Sequence, residues 1–244
     1  MIRRQGLLAA LGLSASICSP PAWAQTPAAP AAPSSPSQPS PRIGELKSLG
    51  QDRFQIGRIV IDKRAGSFTV PGRVHVHGKP LEYLATSPGG MKAYETLLEL
   101  DASGSEFNLA CILVGLERDP SQLPFRQFSQ APLVGQRVAI SIAWSEGGKR
   151  RLVSAAEALL DPDAGVKPES VEWVYTGSMA SQGDAQFAAD VTGTLIGFVH
   201  DANSIIESAL GVGIGAYGSV RGNAMLPPVG SPIELIVEAS TASK

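Results

Sequence analysis

Short runs of β-prone residues, separated by glycine and proline turns, fill most of the sequence between Phe54 and Val237. Apolar and polar residues alternate in several of these runs, a pattern typical of half-buried strands. Strands outnumber helices and do not alternate regularly with them, which argues against a parallel α/β sheet. The expected fold is therefore α+β, with mainly antiparallel β-sheet, one buried central helix and one short helix. A β-sandwich is the alternative.

The predicted strands are short and bounded by turn residues. Their ranges are 54–61, 68–70, 74–76, 81–85, 138–142, 151–153, 171–175, 187–189, 194–199 and 233–237. Pro71-Gly72 is expected to separate the second strand from the third. Glu146-Gly147-Gly148-Lys149 is expected to turn a β-hairpin, and Pro88-Gly89-Gly90 is expected to form a tight turn.

Two helices are expected. Apolar residues from Phe107 to Val114 predict the buried central helix, with Ser103 or Ser105 as its N-cap and Gly115 at its end. The short helix is predicted over residues 201–210.

The first residues have the three-part pattern of a secretory signal peptide. A pair of arginines precedes an apolar run over residues 6–17, and Ala22 and Ala24 supply the small residues of a cleavage site. The sequence thus predicts a signal peptide at 1–24 and an exported protein, periplasmic or secreted. The general and the twin-arginine routes both stay open. Because a membrane helix needs roughly 20 apolar residues, no transmembrane anchor is expected in the mature chain.

Residues 25–50 are predicted to be a disordered Pro/Ala/Ser-rich linker, since this composition cannot bury an apolar face. A single globular domain is expected over residues 51–240.

Cys111 is the one cysteine left after the predicted cleavage, so no internal disulfide is expected. Cleavage removes two of the 20 basic residues and leaves 18 against 22 acidic residues. This charge balance argues against nucleic acid as a partner.

A set of short segments is spread over nearly the whole domain. The segments are Leu81-Glu82-Tyr83-Leu84, Pro88-Gly89-Gly90, Tyr94-Glu95, Gly115-Leu116-Glu117, Trp173-Val174-Tyr175-Thr176-Gly177-Ser178 and Pro227-Pro228-Val229-Gly230-Ser231-Pro232. Together they resemble the YdjY-type family of exported bacterial proteins. The resemblance implies a domain class and an exported setting without an assigned reaction. At the start of the central helix, Asn108 stands where many relatives have a histidine.

The densest polar patch surrounds the Pro88-Gly89-Gly90 turn. The candidate ligand-binding residues there are Glu82, Gly89, Gly90, Lys92, Tyr94 and Glu95. Successive glycine N–H groups could form an anion-binding nest to which Lys92 adds charge, with a carboxylate as base. The alternative is a tight turn in which Lys92 and Glu95 make local hydrogen bonds.

A second candidate surface combines aromatic and polar residues. Trp173 and Tyr175 alternate on one predicted strand, and Ser178 and Asp190 follow. Aromatic rings beside a carboxylate could line a ligand-binding groove, while the alternative is half-buried packing of the strand.

All three histidines are candidate metal ligands. His75 and His77 would point to the same face of a strand, the spacing of H-x-H zinc sites. His200 could be the third ligand, with Asp201 or Glu82 completing the set. The alternative is a pair of exposed histidines on a solvated strand.

Other catalytic signatures are weak or missing in the sequence. Gly213, Gly215 and Gly218 match the letters of a dinucleotide-binding fingerprint, but a strand and a helix do not flank them, which favours a surface loop. No G-x-S-x-G elbow occurs. Cys111 lies among apolar residues, and burial makes a thiol inert.

These observations favour a non-catalytic exported module without a cofactor. The expected partner is an envelope protein or a small ligand, bound at the face that carries Glu82 and the Pro88-Gly89-Gly90 turn. The alternative is a metal-binding protein, with zinc as a possible metal, or a metal-assisted hydrolase that uses His75, His77 and His200.

Overall fold

The computed structural model describes residues 43–160, 171–179, 186–212 and 219–240. Its strands are β1 (Lys47–Gly50), β2 (Arg53–Ile56), β3 (Ile59–Asp62), β4 (Ser67–Val74), β5 (Tyr83–Thr86), β6 (Thr96–Leu100), β7 (Gln136–Glu146), β8 (Lys149–Ser154), β9 (Leu159–Leu160), β10 (Trp173–Tyr175), β11 (Thr194–Gly197), β12 (Ile206–Ser208), β13 (Arg221–Gly222) and β14 (Pro232–Ala239). Its helices are α1 (Gly104–Leu113), α2 (Ala188–Thr192) and a 3-10 turn at Ala93–Glu95. The predicted signal peptide, linker residues 25–42 and the glycine-rich loop 213–218 lie outside the described residues.

Eight strands form a closed barrel. Their order is β4-β14-β7-β10-β12-β11-β5-β6, and β6 pairs back with β4. Neighbours are antiparallel except β5–β6 and β11–β12. The mainly β, mainly antiparallel architecture is thus confirmed, whereas the alternative of a β-sandwich is wrong, because the sheet closes on itself.

The barrel interior is filled by alternate residues of its strands, as expected for a small barrel. On β7 and β14 these are Val138, Ile140, Ile142, Ile233, Leu235 and Val237, all buried. Outside the ring, β3, β2 and β1 continue the sheet from the side of β4 that faces away from β14. β1 lies within the stretch predicted to be a linker.

The Pro71-Gly72 pair does not break the chain as predicted, because β4 runs straight through it. Before the pair, β4 residues 67–69 pair with β3; after it, residues 72–74 pair with β6. Pro71 lies at the changeover between these partners, where its missing N–H interrupts neither ladder. Gly72 has no Cβ, which lets the backbone of β6 approach closely at Glu99. Because β4 ends at Val74, His75 and His77 follow the strand and do not lie on it as predicted.

The central helix α1 begins and ends as the sequence predicts. Ser103 is its N-cap and forms a capping box with Glu106. At the other end, Gly115 has a positive φ of 93°, and the N–H of Leu116 donates to the carbonyl of Cys111 at 3.0 Å, a Schellman arrangement. One face is buried through Phe107, Ala110 and Cys111, but Ile112 is 52% exposed. The helix is therefore buried on one face only and exposes an apolar residue on the other.

Replacing Ser103 by Ala tests the capping box. The side-chain oxygen of Ser103 accepts from the Glu106 N–H at 3.2 Å, and its loss leaves that donor without its partner. We expect the free energy of unfolding to fall by about 1 kcal/mol in urea titration. Ser145→Ala, at an exposed serine of β7, is the control, and an equal loss there would contradict the assignment.

The short helix lies elsewhere than predicted. Residues 206–208 form β12, which pairs with both β10 and β11, so tertiary pairing outweighs local helical preference. The short helix is α2 instead, in place of the strand predicted at 187–189, and it ends at Gly193, whose φ is 74°. The predicted hairpin is confirmed, since β7 and β8 are joined by Gly147 and Gly148, both with positive φ.

Residues 114–135, which we call the strap, connect α1 to β7 without helix or strand. The N–H of Phe128 donates to the carbonyl oxygens of Val199 and His200 at 3.0 and 3.2 Å, and the N–H of Leu133 donates to that of Ala209 at 2.8 Å. Leu133 packs with Val174 and Ala209 in a small cluster of its own. The strap is thus fastened across the β10–β12 region.

Candidate functional site

The predicted turn before Lys92 is confirmed. The N–H of Gly90 donates to the carbonyl of Ser87 at 3.1 Å, and Gly89 has the positive φ, 68°, that the third position of such a turn requires. The N–H of Met91 donates to the carbonyl of Thr192 at 2.8 Å. The N–H groups of Gly90 and Met91 are therefore used within the fold and do not point to an anion.

Lys92 is held by two buried carboxylates. Its ammonium group lies 2.6 Å from Glu95 Oε1 and 3.8 Å from Glu82 Oε2, and both acids are buried. The ring of Tyr94 lies 5.6 Å from the same nitrogen. Although partial burial opposes the charge, the hydrogen bond to Glu95 raises the pKa of Lys92. Lys92 is thus charged and paired at neutral pH.

Beneath Lys92 the polar contacts continue into the barrel wall. The hydroxyl of Tyr83 donates to Asp201 Oδ2 at 2.8 Å, and Gln127 of the strap donates to Glu82 Oε2 at 3.0 Å. Burial, followed by the charge of Asp201, raises the pKa of Tyr83, so its phenol stays neutral. We call this set the Glu82 cluster; its members are Glu82, Tyr83, Lys92, Glu95, Gln127 and Asp201.

The structure brings four of the predicted ligand-binding residues together, since Glu82, Lys92, Tyr94 and Glu95 share contacts around one ammonium group. Sequence reasoning did not place Tyr83 and Gln127 in this site. Glu82 and Tyr83 are adjacent and both buried, which the alternation of a strand does not suggest. Gln127 comes from a loop 45 residues away, and nothing local signals its contact.

Trp173, Ser178 and Asp190 have other surroundings. Trp173 and Tyr175 are buried in the main core, and Trp173 also lines a surface pocket of about 380 Å³ with Arg137 and Glu172. Asp190 accepts from the N–H of Ser105 at 2.8 Å and from its hydroxyl, so it joins α2 to the first turn of α1.

Ser178 lies shortly after β10, and Asn108 lies on α1. Ser178 is buried, with a φ of 57°. Asn108 accepts a hydrogen bond from the Tyr175 hydroxyl at 2.7 Å. Its amide therefore ties α1 to β10.

Each histidine has its own partner. His77 Nε2 lies 2.8 Å from the carbonyl oxygen of Asn223, and His200 Nε2 lies 2.9 Å from that of Ser208. His75 Nδ1 lies 3.8 Å from Glu99, which also pairs with Arg73. Burial lowers the pKa of His200, which keeps its ring neutral. Within the described residues, no group of three or more His, Cys, Asp or Glu side chains could hold a metal ion.

Cys111 is fully buried, and burial raises the pKa of its thiol well above the ordinary value. A neutral, enclosed thiol does not act as a nucleophile. No helix in the described part of the chain has the length and hydropathy that a membrane span requires.

The fold and the site together define a closed, mainly antiparallel β-barrel domain with an acid-rich polar cluster in its wall. The chain belongs to the YdjY domain family, whose model matches residues 59–238. The resemblance seen in the sequence is thereby confirmed, and the family has no assigned reaction. No curated protein and no solved structure matches the chain.

Proposed function

We propose that this protein is an exported, non-catalytic binding module that docks a partner protein on the face around Lys92. The observation that carries the proposal is a pair of large exposed side chains on either side of Lys92 in the chain. Met91 is 67% exposed and Tyr94 is 64% exposed, and the ring of Tyr94 lies 5.6 Å from the Lys92 ammonium group of the Glu82 cluster. Tyrosine and methionine are enriched at protein interfaces, where large side chains contribute most of the binding energy.

The backbone that presents this pair is preorganised. Thr96 Oγ1 donates to the carbonyl of Lys92 at 2.7 Å, and the Cα of Gly90 packs against Gly193. The N–H of Ala93 donates to the carbonyl of Gly90 at 3.0 Å. A rigid segment loses little conformational entropy on binding, which favours affinity.

The chemistry of the cluster supports binding over catalysis. Lys92 pairs with Glu95, Tyr83 donates to Asp201, and Gln127 donates to Glu82. These contacts satisfy the polar groups inside the fold and hold the surface above them in shape. The export part of the proposal is supported by the arginine pair, the apolar run and the alanines that precede residue 25.

The proposal is tested by crosslinking followed by affinity measurement. A photoreactive amino acid at position 94 should capture one defined protein from envelope extracts of the source cells, while the same group at Val229, which is 60% exposed, should not. The captured partner is then purified and titrated against variants of the module.

In that titration, Met91→Ala with Tyr94→Ala should weaken binding at least tenfold, since truncation of a central contact costs more than about 1 kcal/mol. The melting temperature should not change, because both side chains are exposed. Val229→Ala should bind like the unaltered protein. Equal capture at positions 94 and 229, or unchanged affinity of the double variant, would refute the proposal.

A further inference from the structure

Glu207 is a fully buried carboxyl group in the barrel wall. It lies on β12, opposite Gly197 of β11. Gly197 has no Cβ, and a Cβ there would collide with Glu207 Oε1 and with the hydroxyl of Ser204. The Glu207 side chain therefore folds over the glycine and reaches the segment that connects the two strands.

Through that segment Glu207 supports the anchor of the strap. Its Oε1 accepts from the Asp201 N–H at 2.9 Å. The two residues before Asp201, Val199 and His200, provide the carbonyl oxygens that bind the N–H of Phe128. The ring of Phe125 also lies 6.0 Å from the ring of His200, in an edge arrangement.

The strap in turn covers the Glu82 cluster. Gln127 Nε2 lies 3.0 Å from Glu82 Oε2 and 3.5 Å from the Tyr83 hydroxyl. Tyr83 connects this cluster to the segment that Glu207 holds, since its hydroxyl donates to Asp201 Oδ2. A displacement of Asp201 therefore disturbs both the carbonyl anchor of the strap and the polar groups beneath it.

The described groups that face Glu207 supply hydrogen-bond donors and a second carboxylate but no cation. The segment between β11 and β12 presents His200, Asp201 and Ser204, and β5 presents Tyr83. Burial raises the pKa of Glu207 well above its ordinary value. The N–H groups of Asp201 and His200 and the hydroxyl of Ser204 oppose this rise, and the charge of Asp201 adds to it. His200 is neutral, because burial lowers its pKa. The cation of the neighbouring cluster, Lys92, is paired with Glu82 and Glu95.

We propose that Glu207 is a proton-operated latch for the strap. In its neutral form the carboxyl holds the 199–201 segment and keeps residues 125–128 closed over Glu82 and Tyr83. Loss of the proton places a second negative charge beside Asp201 in a buried site, and the segment and the strap move away to admit water. This inference does not depend on the docking face proposed above.

The direction of the pH effect follows from linkage. A carboxyl whose pKa is raised in the closed state holds its proton there at pH values where the open, hydrated state has released it. The closed state is fully favoured below the ordinary carboxyl pKa and loses stability as the pH rises toward the raised value. For one proton, the equilibrium shifts at most about tenfold per pH unit.

Hydrogen–deuterium exchange of the full chain between pH 5.5 and 9 tests the latch, with rates corrected for intrinsic exchange. Amides of residues 125–130 should lose protection as the pH rises, by up to about tenfold per unit, while those of β14 should not. In Glu207→Gln the amide replaces the neutral acid, and the strap should stay protected at pH 9.

Glu99→Gln is the matched control, because Glu99 is also a buried carboxyl, 4% exposed, and pairs with Arg73 on another part of the barrel. In this variant, the protection of residues 125–130 should keep the pH dependence of the unaltered protein. Constant protection of residues 125–130 across the pH range would overturn the proposal, even if Glu207→Gln failed to fold. If the protection of residues 125–130 still depended on pH in a folded Glu207→Gln variant, that result would overturn the proposal as well.

Discussion

Replacing Gly72 by Ala should destabilise the barrel by about 3 kcal/mol or more, since an added methyl group in a tightly packed site forces the backbone to shift. A Cβ at this position would meet the carbonyl oxygen of Glu99 closer than van der Waals contact allows, and it would also meet Leu100. Both residues belong to β6, and the β4–β6 pairing closes the barrel. Urea titration followed by circular dichroism measures the loss.

Gly78→Ala is the control for this substitution. A Cβ at Gly78 has no neighbour within 4 Å, so the change in unfolding free energy should stay within about 0.5 kcal/mol. If both alanine variants behaved alike, the close approach of β6 to β4 would not be the reason for glycine at position 72.

Replacing Phe107 by Ala should cost about 3–5 kcal/mol, the usual penalty for removing a buried aromatic ring. Phe107 is fully buried, and its ring meets that of Phe68 edge-on at 5.2 Å. This contact joins α1 to β4, so its loss leaves a cavity between helix and barrel. The free energy of unfolding from urea titration is the readout.

Ile112→Ala on the same helix separates packing from helix formation. Ile112 is exposed, and alanine is a good helix former, so this variant should lie within about 0.5 kcal/mol of the unaltered protein. A similar loss in both variants would mean that Phe107 acts through the helix itself and not through the core.

Local patterns predicted the local structure well. The Ser103 cap, the Gly115 terminus, the Gly147-Gly148 hairpin and the turn at Gly89 were all recognisable because each depends on a few consecutive residues. Glycine at a positive φ or serine at an N-cap satisfies a requirement that is present before any tertiary contact forms.

Errors arose where distant partners decide the structure. Pro71-Gly72 predicts a break between two strands, but the pair lies where β4 changes its pairing partner from β3 to β6. Residues 206–208 read as helix, but pairing with β10 and β11 makes them a strand. Closure of the barrel likewise depends on the β4–β6 contact, which alternation within single strands cannot reveal.

The candidate site shows the same division. The neighbours Lys92, Tyr94 and Glu95 could be grouped from their sequence positions, and the 3-10 turn keeps them together. Gln127 and Asp201 join them only through the strap and the segment before β12. The contact between Glu207 and Gly197 depends on a parallel strand pair, so it was not accessible from the sequence.

The position of β14 has a consequence for how the chain reaches its native state. This last strand of the described chain lies between β4 and β7, and it pairs with β4 over seven residues and with β7 over six. During vectorial synthesis the ring cannot close until residues 232–239 emerge, which requires contacts of high sequence separation and favours slow folding. Until then, the edges of β4 and β7 that pair with β14 expose unpaired backbone N–H and C=O groups. The chain must therefore be kept from aggregating until its final strand arrives.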